Sequence, residues 1–303
     1  MRGVFVDAND SLAEIFERQR GASDPDVRVN LDPNIRPEQW SVLLGGAEIG
    51  VVDHTALPTD IARQCAGLKH VVFLGTGARS YMNPDELAEL GIAVHLIKGY
   101  GNTAVAESAI ALMWASARVL AQMDREMRLG NWLREDGMQL TGKTLGLIGF
   151  GGIAAEVARI ASGSGMKLIA WNRTPKTSAN VEFVDLDTLL KRSHVVSIHL
   201  LLNEQTRGMI TREKIAAMRC GVILINTARG AIVDETAMID ALKSGHIRHA
   251  GLDVFNIEPL PKDHPLTKLP NVTLSAHSAF RTPEASENLI AAAWEHCRRL
   301  ARS

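Results

Sequence analysis

Neither sign of charge is in excess in this sequence. Thirty-three Lys and Arg stand against thirty-four Asp and Glu, a formal net charge of -1, and so weak a field does not gather nucleic acid or an anionic lipid surface. Cysteine is scarce too. Cys65, Cys220 and Cys297 are an odd set with no short pairing motif, the usage of thiols kept reduced rather than of a disulfide scaffold. No apolar run reaches membrane-spanning length, and Asp7, Asp10 and Glu14 stand where a secretory leader would carry its apolar stretch. Fixed-period repeats and low-complexity tracts are also missing. These absences lead us to expect a cytoplasmic globular protein with neither nucleic acid nor a membrane as partner.

What is present points to two packed units. The chain has 303 residues, of which 46% are apolar, more than one typical domain needs for its core. Short β-branched runs recur at 4–6, 49–52, 71–74, 145–148, 168–170, 195–198 and 222–225, too continuous to be half-exposed, and a further strand is read at 272–275 before His277. That alternation with helical stretches reads as α/β, with parallel strands covered on both faces. From 104 to 129, Val105, Leu112, Val119, Met123 and Met127 keep helical spacing, with Asn102 and Thr103 as caps and Gly130 as a stop. We expect one long helix there. The expected division is a first domain of residues 1–98, joined by the helical segment 279–303, and a nucleotide-binding domain of residues 99–278.

Gly149, Phe150, Gly151, Gly152, Ile153 and Ala154 directly follow the run 145–148 and precede a helical stretch. Strand, glycine turn and helix in that order let backbone N–H groups meet a pyrophosphate, with small residues permitting close approach. At the end of the next run, Trp171, Asn172, Arg173 and Thr174 contain no acid, although an NAD-selective turn normally places one against the ribose 2′-hydroxyl. Arg173 would instead attract a 2′-phosphate, which predicts NADP(H) as preferred coenzyme with NAD(H) as the alternative. An ordinary solvated arginine is the competing reading.

A longer series of motifs then appears in order: Gly75, Thr76 and Gly77 after a run; Asn102 with Val105, Ala106 and Glu107; the glycine turn; residues 197–202 before Thr206, Arg207 and Gly208; INTARG at 225–230; AGLDVF at 250–255 with Glu258 and Pro259 beyond; and His277. In this the chain resembles the D-isomer-specific 2-hydroxyacid dehydrogenases, a family that includes glyoxylate and hydroxypyruvate reductases and phosphoglycerate dehydrogenase. The resemblance implies two doubly wound parallel-sheet domains, a Rossmann domain and a smaller flavodoxin-like substrate domain. It implies Arg229 as the cation gripping a 2-keto acid, His277 as the acid that protonates its carbonyl oxygen, and Glu258 as the histidine's partner. Gly75, Thr76 and Gly77 look like the family's carboxylate cradle. Thr103, Leu200, Leu201, Thr206, Thr227, Ala228 and Asp253 resemble residues lining the dinucleotide. Family members pair through the region of the long helix, so a homodimer is expected through residues 104–129.

Some positions depart from the family pattern. Arg79 follows the first glycine turn where an acid is more usual, no proline follows His199 or precedes His277, and a bulky Phe280 stands just beyond. The chain stops at Ser303, which leads us to expect no regulatory domain. His246 and His249 lack a third ligand nearby in sequence, so no metal site is expected. Other readings are a phosphoglycerate-type, formate or phosphite dehydrogenase of the same scaffold, or a nucleotide-sensing corepressor.

Overall fold

The structure is a computed structural model and describes residues 1–302. The chain divides into two compact units, Met1–Gly101 with the segment from Arg281 onward, and Asn102–Phe280. These boundaries lie a few residues past the expected 98/99 and 278/279.

The first unit is a five-stranded parallel sheet of β1 (Arg2–Phe5), β2 (Asp26–Val29), β3 (Ile49–Val52), β4 (His70–Phe73) and β5 (Ala93–Leu96), in the order β2-β1-β3-β4-β5. That is the flavodoxin-like order, with its reversal between β1 and β3. Buried Asp7, just past β1, accepts the N–H groups of Asp53, His54 and Thr55 just past β3 at 2.8–2.9 Å, so the reversal is tied at its C-terminal edge. The helix Pro283–Arg302 packs on this sheet through Leu289, Ile290, Ala293 and Trp294. Trp294 stacks on Phe16 at 4.2 Å, its indole N–H donates to the Phe16 carbonyl, and Arg298 pairs with Asp24, whose carboxyl it holds down at about 2.

The second unit is a seven-stranded parallel sheet: β6 (Thr144–Ile148), β7 (Lys167–Trp171), β8 (Glu182–Phe183), β9 (Val195–Ile198), β10 (Val222–Asn226), β11 (Ile247–Leu252) and β12 (Val272–Leu274). The order β8-β7-β6-β9-β10-β11-β12 is the Rossmann order with one strand added. Alternation along each strand feeds two cores. Leu145, Leu147, Ile223 and Ile225 face the helices Asn102–Ala117 and Gly152–Gly163, while Ile148, Val196, Ile198 and Leu224 face the helices Leu186–Arg192, Arg212–Ala217 and Glu235–Lys243. A sheet covered on both faces needs apolar side chains at every position, which is why these runs read as continuous.

Four strands were not among the expected runs: β2, β5, β8 and β11. Their sequences DVRV, AVHL, EF and IRHAGL carry charge, histidine or small residues. In β11 a Cβ on Gly251 would come within 2.9–3.0 Å of Ile225, Leu112 and Ser116, so close helix packing selects glycine where a strand former would be looked for.

The expected helix over 104–129 is broken. Two helices, Asn102–Ala117 and Leu120–Arg128, meet at 66°, with Val119 left-handed at φ 57°. No proline or glycine marks the break. Instead the Ala117 carbonyl accepts the Met138 N–H at 2.7 Å, so the returning segment takes an acceptor a continuous helix would use. Gly130, left-handed at φ 84°, does end the second helix. Among the described residues, no single helix is long and apolar enough to cross a membrane.

Candidate active site

One transverse row organises the second unit. Strand register aligns Trp171, Ile148, Ile198, Asn226, Leu252 and Leu274 across six neighbouring strands. Every candidate segment of this unit except Thr103 leaves the C-terminal edge of that row within a few residues, where doubly wound folds bind ligands.

The glycine turn follows Ile148, where the strand order reverses. Gly149 has φ 89°, and a Cβ there would stand 2.6 Å from the His199 carbonyl oxygen, so both conformation and space require glycine. Gly152 lies against the Asn102 side chain, 2.3 Å from where its Cβ would be. Gly151 caps the helix Gly152–Gly163 without a side-chain hydrogen bond, and a Cβ on it would meet nothing within 4 Å. Uncapped helix N–H groups beside open space fit a pyrophosphate. Nearby, burial pushes His199 down to about 4, leaving a neutral imidazole bonded to Ser197.

Arg229 begins three residues past Asn226. Asn226 shapes this turn, donating to the Arg229 carbonyl and accepting the Ala228 N–H, both at 3.0 Å. The half-buried guanidinium donates to the Ala228 carbonyl at 2.6 Å, and among the described residues no carboxylate pairs with it. Thr227 is buried, and its hydroxyl has no hydrogen-bond partner. A cation without a carboxylate and a buried hydroxyl without a hydrogen-bond partner are what a polar ligand would complete.

His277 follows β12. Its Nδ1 lies 2.6 Å from Glu258 Oε2, and Glu258 Oε1 accepts the Phe255 N–H at 2.8 Å, so the backbone aims the carboxylate and the carboxylate aims the ring. With glutamate ionised, Nδ1–H is the donor and Nε2 is the ring atom free to exchange a proton. The histidine backbone is left-handed at φ 48°, a conformation that costs about 1–3 kcal/mol unless its surroundings hold it. Asp253 holds it. Its carbonyl accepts the His277 N–H, and its buried carboxylate accepts the Ser275 hydroxyl and the N–H groups of Ser278 and Ala279. Phe280 stands edge-on to the imidazole at 6.3 Å, and a cavity of about 590 Å³ opens beside Glu258 and His277, lined also by Phe255 and Leu274.

The remaining expected residues fall into two groups. Ile153, Leu200 and Ala228 are half-buried against the cores, whereas Thr103, Leu201, Arg173 and Thr174 are exposed. Asn172 and Thr206 are engaged internally: Asn172 accepts the Phe150 N–H and donates to the Thr174 carbonyl, and Thr206 closes a turn with Leu201 and Asn203. Arg173 donates to Gln205. In the first unit, the N–H groups of Thr76 and Gly77 have no acceptor among the described residues. Arg79 pairs with Asp85 on the surface. His246 and His249 hydrogen-bond the Ile215 carbonyl and Thr273, and no group of His, Cys, Asp or Glu among the described residues is placed to hold a metal.

Sequence reasoning missed Asn226, Gly230 and Lys176. Gly230 had a signal, a glycine directly after the arginine, where a Cβ would overlap the backbone of Phe255 at 2.2 Å. Lys176 had none, since a lysine in a polar loop reads as a solvated charge.

Residues 110–279 match the model of a family described as "D-isomer specific 2-hydroxyacid dehydrogenase, NAD binding domain". A hydroxypyruvate reductase of Thermotoga maritima is 42% identical over 241 residues, 78% of each chain. A glyoxylate reductase of Aeropyrum pernix is 34% identical over 96% of this chain and 90% of its own. Among solved structures, an acyclic imino acid reductase in complex with NADPH and D-Arg is similar at a TM-score of 0.83 and 29% identity, over 96% of this chain and 94% of that one.

Proposed function

Since the chain belongs to the D-isomer specific 2-hydroxyacid dehydrogenase family, oxidoreductases acting on CH–OH donors, we propose that it moves a hydride between NADP(H) and a small 2-keto or 2-hydroxy acid of the glyoxylate or hydroxypyruvate kind. The observation that carries this reading is the aimed His277–Glu258 pair on the same sheet edge as an arginine with no carboxylate partner.

A bound nicotinamide supplies or takes the hydride. The chain's own residues do the rest. Arg229 offers a planar fork to the substrate carboxylate and carbonyl oxygen, drawing electron density from the carbon to be reduced. His277 gives its Nε2 proton to that oxygen as the carbon gains hydride, and takes it back in the oxidative direction. Glu258 keeps the proton on Nδ1 and holds the ring in place. In the first unit, the free N–H groups of Thr76 and Gly77 are suited to an anionic oxygen.

The NADP preference rests on the loop after β7. It presents Arg173 and no acid, and charge-assisted hydrogen bonds to a phosphate contribute about 1.5–3 kcal/mol. The similar imino acid reductase binds NADPH. Homodimerisation through the two helices of 102–128 and the segment beyond them is supported by Leu120, Leu129 and Trp132, exposed by 52%, 74% and 76%. Light scattering tests that part: a monomeric mass removes it.

The activity is tested by following NADPH and NADH oxidation with glyoxylate, hydroxypyruvate, phenylpyruvate and phosphohydroxypyruvate. The fastest turnover is expected with NADPH and one of the two small unphosphorylated acids. Oxidation with none of the four removes the reading.

A further inference from the structure

Both ends of the Phe150 residue are gripped by the loop that follows the neighbouring strand. Its N–H donates to Asn172 Oδ1 at 3.0 Å, and its carbonyl accepts a hydrogen bond from Lys176 Nζ at 2.7 Å. The second contact fixes more than a loop. In a planar trans peptide the carbonyl and the following N–H point in opposite directions, so drawing the Phe150 oxygen toward Lys176 turns the Gly151 N–H away from it. Gly151 is the residue with open space around it and no side-chain cap beside it. A cation on the carbonyl also polarises the peptide and strengthens its N–H as a donor. No carboxylate among the described residues competes for the ammonium.

We propose that Lys176 is a positioning residue for the dinucleotide, setting the Phe150–Gly151 peptide so that the Gly151 N–H faces the pyrophosphate. This rests on the reading of the turn as a dinucleotide site and is independent of NADP over NAD, because the pyrophosphate is common to both. Lys176 differs in this from Arg173, whose contribution is specific to a 2′-phosphate.

The test is fluorescence titration of Lys176→Met and Lys176→Arg with NADH and NADPH at about 0.5 M salt, where charge attraction is screened beyond about 4 Å. Lys176→Met should bind both nucleotides about fivefold to tenfold more weakly, by the same factor, as for one lost hydrogen bond. Lys176→Arg should recover most of that loss, and both variants should melt within about 2 °C of wild type, the side chain being exposed. A loss confined to NADPH would assign the ammonium to the 2′-phosphate and overturn the proposal. Unchanged affinity, or a deficit seen only at low salt, overturns it equally. If wild type binds neither nucleotide, the dinucleotide reading itself fails, and this proposal with it.

Discussion

A Cβ at Gly230 would stand 2.2 Å from the carbonyl carbon of Phe255. The turn that presents Arg229 therefore presses on the turn that leads to Glu258, and the absence of one methyl group sets their spacing. Gly230→Ala must push the two backbones apart, and a displacement near 1 Å at a reacting geometry can cost about a hundredfold in rate. We expect kcat/KM to fall by at least tenfold with the circular dichroism spectrum retained. Full activity would show that the contact does not set the site.

Glu258→Gln keeps the size of the side chain and removes the charge that orders the His277 ring at 2.6 Å. Turnover should fall by roughly tenfold to a hundredfold, less than the hundredfold to ten-thousandfold attributed to the acid–base group itself. Turnover within a few-fold of wild type would assign Glu258 to packing alone.

Arg173→Ala removes the cation assigned to the 2′-phosphate. The ratio of kcat/KM for NADPH over NADH should drop by about tenfold to a hundredfold, chiefly through KM for NADPH. An unchanged ratio would leave Arg173 as a surface residue bonded to Gln205.

Histidines set opposite pH limits on stability. Burial foremost pushes His95, His199 and His249 down to about 4 from 6.5. Their contribution is complete above pH 6.5 and is lost as pH falls from there toward 4. His54 runs the other way, raised to about 9 by its hydrogen bond to Asp53 and by the charge of Asp7. Its contribution is complete below 6.5 and is lost as pH rises through 9. The melting temperature should therefore peak near pH 6.5 and decline on both sides, and His54→Asn should flatten the alkaline side. A melting curve rising steadily from pH 6.5 to 9 would contradict this.

How much of this was legible depended on whether a residue acts through its type or through its surroundings. The buried runs of β3, β6, β9 and β10 were readable because a sheet covered on both faces selects them position by position. Strand β11 was not, because Gly251 and the neutral His249 are tolerated only by their neighbours. Arg229, Glu258 and His277 were visible as chemistry in motif order. Asp253 resembles a residue lining the dinucleotide, and its carboxylate accepts hydrogen bonds from the turn that carries His277, a role its residue type alone does not announce. The helix break at Val119 left no mark, since its cause is a hydrogen bond from Met138, remote in sequence.

The central claim is that His277 delivers the proton to a substrate carbonyl polarised by Arg229. The direct measurement is single-turnover NADPH oxidation by His277→Ala beside wild type, with hydroxypyruvate or glyoxylate saturating. The rate should fall by roughly a hundredfold to ten-thousandfold while NADPH affinity stays within about twofold, because the imidazole is not assigned to the coenzyme. A variant that turns over within a few-fold of wild type would contradict the account.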